Sequence, residues 1–250
     1  METTMRVLIA FGFTLLLVML RADAERFGTA EYDEPGPGAR PLLRRISWYV
    51  LGIGGIAAIL FIHPQAGIDL RLTGGDPAGA VIFGFLIAGA GVAQAVALAW
   101  VHYHRIRLPD IASYPGALSN EILTAFIDEA TFRGALLGFL TVFGADPLLA
   151  IAAQALAYTL ATRLAKPGRN RYLLLLTLAV GFVGGWVTIV TGGIGAAFLG
   201  HAVTRVAVFL TTGHAGQPAP KGTEWEDLDR RRRVPTGWRT VDAAADRRER

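Results

Sequence analysis

The chain contains no cysteine. That excludes a disulfide framework, a thiolate zinc site and a cysteine nucleophile. Charge is also scarce. Of 250 residues only 18% are charged, against 52% hydrophobic, and a soluble domain of this length keeps more charge on its surface. The sequence lacks the short apolar periodicities of soluble helices and strands as well; its apolar residues come in long runs, with a mean hydropathy of +0.42, the pattern of a membrane protein. The net charge of +4 does not point to nucleic acid, because the basic residues cluster beside apolar runs, as charges on the cytoplasmic side of a membrane do.

A spanning helix needs about 20 mostly apolar residues. Seven stretches are candidates, near 5–20 (the shortest), 46–63, 79–101, 118–142, 146–163, 172–190 and 194–211. Turn chemistry separates them at Pro35-Gly36-Pro37-Gly38, Gly74-Gly75-Asp76-Pro77 and Lys166-Pro167-Gly168. The expected fold is therefore all-α, a polytopic integral membrane bundle of about seven helices. No internal repeat stands out. The chain divides into an N-terminal membrane region with three spans (1–117), a core with four (118–211) and a basic tail (212–250) that contains Arg230 to Arg233 and reads as disordered.

Orientation follows from the arginines and lysines. Of 24 such residues, all but Arg6, Arg71, Arg133 and Arg205 fall in the first loop, the third loop, the fifth-segment boundary or the tail. Basic residues mark the cytoplasmic side, so the N-terminus is expected outside and the C-terminus in the cytoplasm of a multi-pass plasma-membrane protein. A cleaved signal peptide is the rival, since Arg6, an apolar run and Ala22-Asp23-Ala24 have that form. Cleavage would place Arg26, Arg40, Arg44 and Arg45 on the wrong side, which favours a retained first span.

Charges inside the spans need a reason, because each costs about 2.5–3.5 kcal/mol at the bilayer centre even on the lenient insertion scale. The fourth span carries Asp128, Glu129 and Arg133, and the seventh carries His201 and Arg205. Glu129 and Arg133, one turn apart, share a face and can pair; Asp128 points elsewhere and has no partner on its own helix. An inter-helix salt bridge that fixes packing, a proton relay, an ion pathway and a hydrolytic centre are all compatible with these residues.

The stretch Asp128-Glu129-Ala130-Thr131-Phe132-Arg133-Gly134 resembles the EExxxRG signature of the CPBP family of intramembrane endopeptidases, the Abi or CAAX-prenyl-protease and bacteriocin-processing proteins. Tyr158 to Thr162 stands where that family has FxxxH, and His201 to Arg205 where it has HxxxN or HxxxD. The resemblance covers about 118–211. It implies peptide-bond hydrolysis in or near the membrane, with Asp128 at the first-acid place, Thr162 at the first-histidine place, His201 at the second, Arg205 at the Asn/Asp place, and Glu129 with Arg133 as the structural pair.

Three of the four catalytic places have changed. Asp for Glu draws the carboxylate back by roughly 1.5 Å, and a displacement of about 1 Å can cost on the order of a hundredfold in rate. Thr162 is neither a base near neutral pH nor a nitrogen ligand. A divalent metal is possible in the family but poorly supported by one imidazole. Arg205, if it faces the cavity, is expected to pair with Asp128 and weaken it as a base; Gln154 and Tyr158 could furnish polar replacements. The readings are an active endopeptidase, a catalytically inactive family member that binds a membrane-associated peptide or protein (an immunity-type protein among them), and, last, a transporter or proton relay, disfavoured because no repeated halves or paired broken helices occur. His102 and His104 before Arg105 and Arg107 read as an interfacial basic cluster rather than a metal site.

Overall fold

A computed structural model describes residues 2–27, 39–103, 105–109, 115–163, 171–212 and 238–242. Each of the seven apolar stretches is helical. Helix α1 is Thr3–Ala22, α2 Ala39–Ile62, α4 Pro77–Tyr103, α7 Pro147–Arg163, α8 Arg171–Thr191 and α9 Gly195–Thr212, with a single turn α3 at Ala66–Asp69. The fourth stretch is one continuous rod in three parts: α5 Pro115–Asp128, a π-helical segment Glu129–Leu136, and α6 Leu137–Val142. Strands β1 (Arg105–Pro109) and β2 (Trp238–Asp242) pair antiparallel, Arg105 opposite Asp242. The turns at 35–38 and 166–168, His104 and the arginine run at 230–233 lie outside the described residues.

The helix starts are written in the sequence. Asp76-Pro77 and Asp146-Pro147 each place a proline at the first helical position behind an aspartate that caps it. The Asp76 carboxylate accepts from the Gly79 N–H at 2.6 Å, and that of Asp146 from the Leu148 N–H at 2.9 Å. Gly75 adopts φ 74°, and a side chain there would meet the backbone of Thr191 and Gly193. That close approach lets the turn before α4 strap the turn between α8 and α9, through Asp76 N–H to Thr191 O (2.7 Å) and Ile194 N–H to Thr73 O (3.0 Å).

Polarity runs inside out. Leu16 is 60% exposed, Phe61 84% and Val101 70%, whereas Asp128, Glu121 and Arg133 are fully buried. A protein in water buries its apolar residues and almost never its unpaired charges; a lipid-facing bundle does the reverse. Among the described residues four helical stretches, Thr3–Ala22, Leu43–Ile62, Pro77–Val101 and Leu174–Thr191, are long and apolar enough to cross a membrane, while those of α7 and α9 are shorter. The molecule is thus a polytopic helical membrane protein.

The packing sets α9 in place. Gly84, Gly91 and Gly200 bring α4 and α9 together, with Leu199 and Thr204 of α9 seated on the α4 glycines and Ile87 on Gly200. Small residues of this kind allow backbones to approach closely in lipid. On the other side α1 packs its buried stripe of Ala10, Thr14, Leu17 and Arg21 against α2, α7 and the π segment.

Candidate functional site

The π segment begins at Glu129 and holds the buried Glu129 and Arg133; such segments recur at functional sites. Arg133 Nη1 lies 3.3 Å from Glu129 Oε1, as the spacing of the two residues predicts. The guanidinium of Arg133 also sits 4.0 Å over the ring of Tyr158 from α7, a cation–π contact in a desolvated place.

Glu129 has a second partner. His201 Nδ1 approaches its Oε1 at 2.6 Å. A carboxylate paired with an arginine is an acceptor only, so Nδ1 carries the proton and donates. In the neutral imidazole the lone pair is then on Nε2, where Tyr158 O–H is placed to donate to it at 3.4 Å. The chain Glu129–His201–Tyr158 therefore fixes the tautomer and orientation of the imidazole. Glu129, expected to be purely structural, is the carboxylate that addresses His201.

Asp128 faces elsewhere, as its place one residue before Glu129 requires. Its Oδ1 meets Arg21 Nε of α1 at 2.5 Å. The expected Asp128–Arg205 bridge does not form. Arg205 Nε pairs instead with Glu121 Oε2 of α5 at 2.9 Å. Glu121 is held in turn by Asn120, whose side-chain N–H donates to Oε1 at 3.0 Å and whose Oδ1 accepts from the Tyr49 hydroxyl at 2.6 Å. The reason for the correction is register. Two turns of α5 separate Glu121 from Asp128, and Arg205 stands one turn beyond His201 on α9, level with the earlier acid. Arg21 likewise departs from its reading as a loop charge; it lies in the last turn of α1 and is only 8% exposed.

Thr162 is bonded within its own helix. Its hydroxyl donates to the Tyr158 carbonyl of its own helix at 2.7 Å, the back-bonding common to threonine in helices. Gln154 donates to the Gly181 carbonyl at 2.7 Å, tying α7 to α8, while Tyr158 does reach His201. Sequence reasoning missed Arg21, Glu121, Asn120 and Tyr49. Glu121 had left a signal: it precedes Asp128 by seven residues and so repeats on the same helical stripe.

Three arginines and three acids thus close into three buried ion pairs, Arg21–Asp128, Arg133–Glu129 and Arg205–Glu121. Broken singly, a buried pair costs about 3–5 kcal/mol, because the remaining charge is left uncompensated. A divalent metal does not fit this donor set. Among the described residues no group of three or more His, Asp or Glu side chains converges, Asp128 faces a guanidinium, and His201 Nε2 faces a tyrosine hydroxyl.

Comparison with known proteins agrees with the motif that surrounds Asp128. Residues 110–207 match the family model described as type II CAAX prenyl endopeptidase Rce1-like. No curated protein and no solved structure matches the chain. The matched stretch holds the π segment, Tyr158, His201 and Arg205, whereas Arg21 and Tyr49 come from helices outside it. Residues 110–207 are therefore similar to the Rce1-like family, and they lie within a polytopic helical membrane protein.

Proposed function

We propose that this CAAX-protease-like protein no longer hydrolyses peptides and instead binds a membrane-associated peptide or protein, as an inactive member of its family. The observation that carries the reading is the Arg21–Asp128 pair at 2.5 Å. A general base must reach the water it activates, within about 2.6–3.2 Å, with a pKa near the working pH. Asp128 is instead engaged by a permanent cation on another helix. The place of the first histidine is held by a threonine bonded to its own backbone, which leaves a single imidazole. Seven membrane spans, an N-terminus outside, a cytoplasmic basic tail and residence in the plasma membrane complete the proposal, on the distribution of Lys and Arg.

The test is a cleavage assay on purified protein in detergent with a library of membrane-proximal peptides. No cleavage above background is expected, and none that depends on Asp128 or His201. Robust cleavage that Asp128→Ala or His201→Ala abolishes would overturn the proposal.

One observation favours a second reading. The 2.6 Å contact between Glu129 and His201 is the orienting bond a histidine base requires. In a working hydrolase built this way Glu129, not Asp128, would be the essential acid. Cleavage lost in Glu129→Gln yet kept in Asp128→Asn would establish it.

A further inference from the structure

A slot remains open between α1 and α2. Its walls are Phe13, Leu16 and Leu20 of α1 and Val50 and Leu51 of α2; Gly54 also lines it, and its volume is about 500 Å³. That size falls within the roughly 300–1,000 Å³ of small-molecule sites. The α1 residues at 13, 16 and 20 follow one helical stripe over about 10 Å of rise, so the slot runs along the spans. Among the described residues Asp23, at one end, is the only charged one in its lining.

The glycines nearby divide into two kinds. A side chain at Gly52 would collide with Ile127, and one at Gly55 with Leu17; both are there for close helix packing. A Cβ at Gly54 would meet nothing within 4 Å. Packing gives no reason for that glycine, and in a helix interior it costs roughly 0.5–1 kcal/mol relative to alanine. At that position the missing side chain leaves room in the lining of the slot. The rim is continuous with the lipid-facing belt, with Leu16 60% and Val50 64% exposed, on two helices long enough to cross the bilayer. An occupant must therefore arrive from the membrane, be apolar along its length, and lie parallel to the helices.

We propose that this slot is a binding site for one acyl chain of a bilayer phospholipid, held through Gly54 against α1 and α2. The proposal is independent of whether the charged centre hydrolyses anything. To test it, the full chain is reconstituted in phosphatidylethanolamine–phosphatidylglycerol bilayers and re-extracted into detergent. Phospholipid retained per chain is then counted by native mass spectrometry. Gly54→Leu fills the slot, and Gly54→Ala fills it partly. Gly12→Leu is the control, since a Cβ there also meets nothing within 4 Å and Gly12 is not part of the lining. Leucine favours a helix over glycine, and melting curves check that each variant is folded. Wild type and Gly12→Leu are expected to retain about one phospholipid, Gly54→Ala less, and Gly54→Leu at least about tenfold less, a change of about 1.4 kcal/mol. Equal retention in wild type and folded Gly54→Leu would overturn the proposal. So would wild type that retains none, or a polypeptide or lipidated peptide found in place of the phospholipid.

Discussion

Arg21 and Asp128 sit on helices far apart in the chain, and each is the other's ion-pair partner. Their pairing predicts an asymmetry at the residue scale. Arg21→Met or Asp128→Leu alone leaves one buried charge uncompensated and is expected to lower stability by about 3–5 kcal/mol, while the double variant comes close to neutral. Thermal melts of the four proteins in one detergent measure the cycle, and additive losses would show that the two side chains do not pair. His63, just beyond α2, supplies a pH prediction. It is 3% exposed; burial lowers its pKa below the usual 6.5, the Asp69 carboxylate at 4.0 Å partly opposes this, and Arg6 adds to it. Because the folded protein holds this ring neutral more tightly than the unfolded chain does, the contribution to stability is complete above about pH 6.5 and is lost as pH falls toward the lowered folded value. His63→Phe should remove that part of the decline in melting temperature below pH 6.5; an unchanged slope would refute the assignment. The Glu129–Arg133 pair was legible in the sequence because both partners lie on one helix. The partners of Asp128 and Arg205 were not, since helical periodicity says nothing about which side chain of another helix stands opposite.

At the scale of elements, the fourth rod is held by its glycines. A side chain at Gly138 would strike the Cα of Leu70 and the carbonyl of Asp69, whereas one at Gly134 would strike the tip of the Leu72 side chain. Backbone cannot yield as a leucine tip can. Gly138→Ala is therefore expected to destabilise by about 1–3 kcal/mol and Gly134→Ala by less, the latter offset by alanine's better helix propensity. Equal effects in a denaturation series would contradict the contact geometry. The seven helical stretches were readable from run length and from the Asp-Pro starts of α4 and α7. The π winding over Glu129–Leu136 was not, because a shift of one residue in backbone hydrogen bonding leaves no mark on an apolar run. Glu129 stands at the start of that winding and meets His201 of α9, a contact across helices that periodicity along one helix does not show.

At the scale of the molecule, the charges are inside, the apolar side chains outside, and the three ion pairs join α1, the fourth rod and α9. The Rce1-like match at residues 110–207 covers the second and third of these but not α1. Composition had already fixed the membrane class; the contribution of the first helix to the centre was hidden because Arg21 follows an apolar run at the place where a positive-inside charge is expected.

The Arg21–Asp128 pair also bears on biosynthesis. Arg21 leaves the ribosome with the first helix, and its counter-charge follows only after α2 and α4 have been made. Until then the arginine stays near the headgroups, where its long side chain reaches water, and α1 is anchored only by its apolar face. Glu129 and Arg133, in contrast, emerge together and enter the bilayer already compensated. The joining of α1 to the fourth rod is a closure between distant parts of the chain, of the kind that slows folding. A chain stopped after α4 would carry Arg21 with no acid to receive it, and membrane quality control would meet this molecule first as an unpaired arginine.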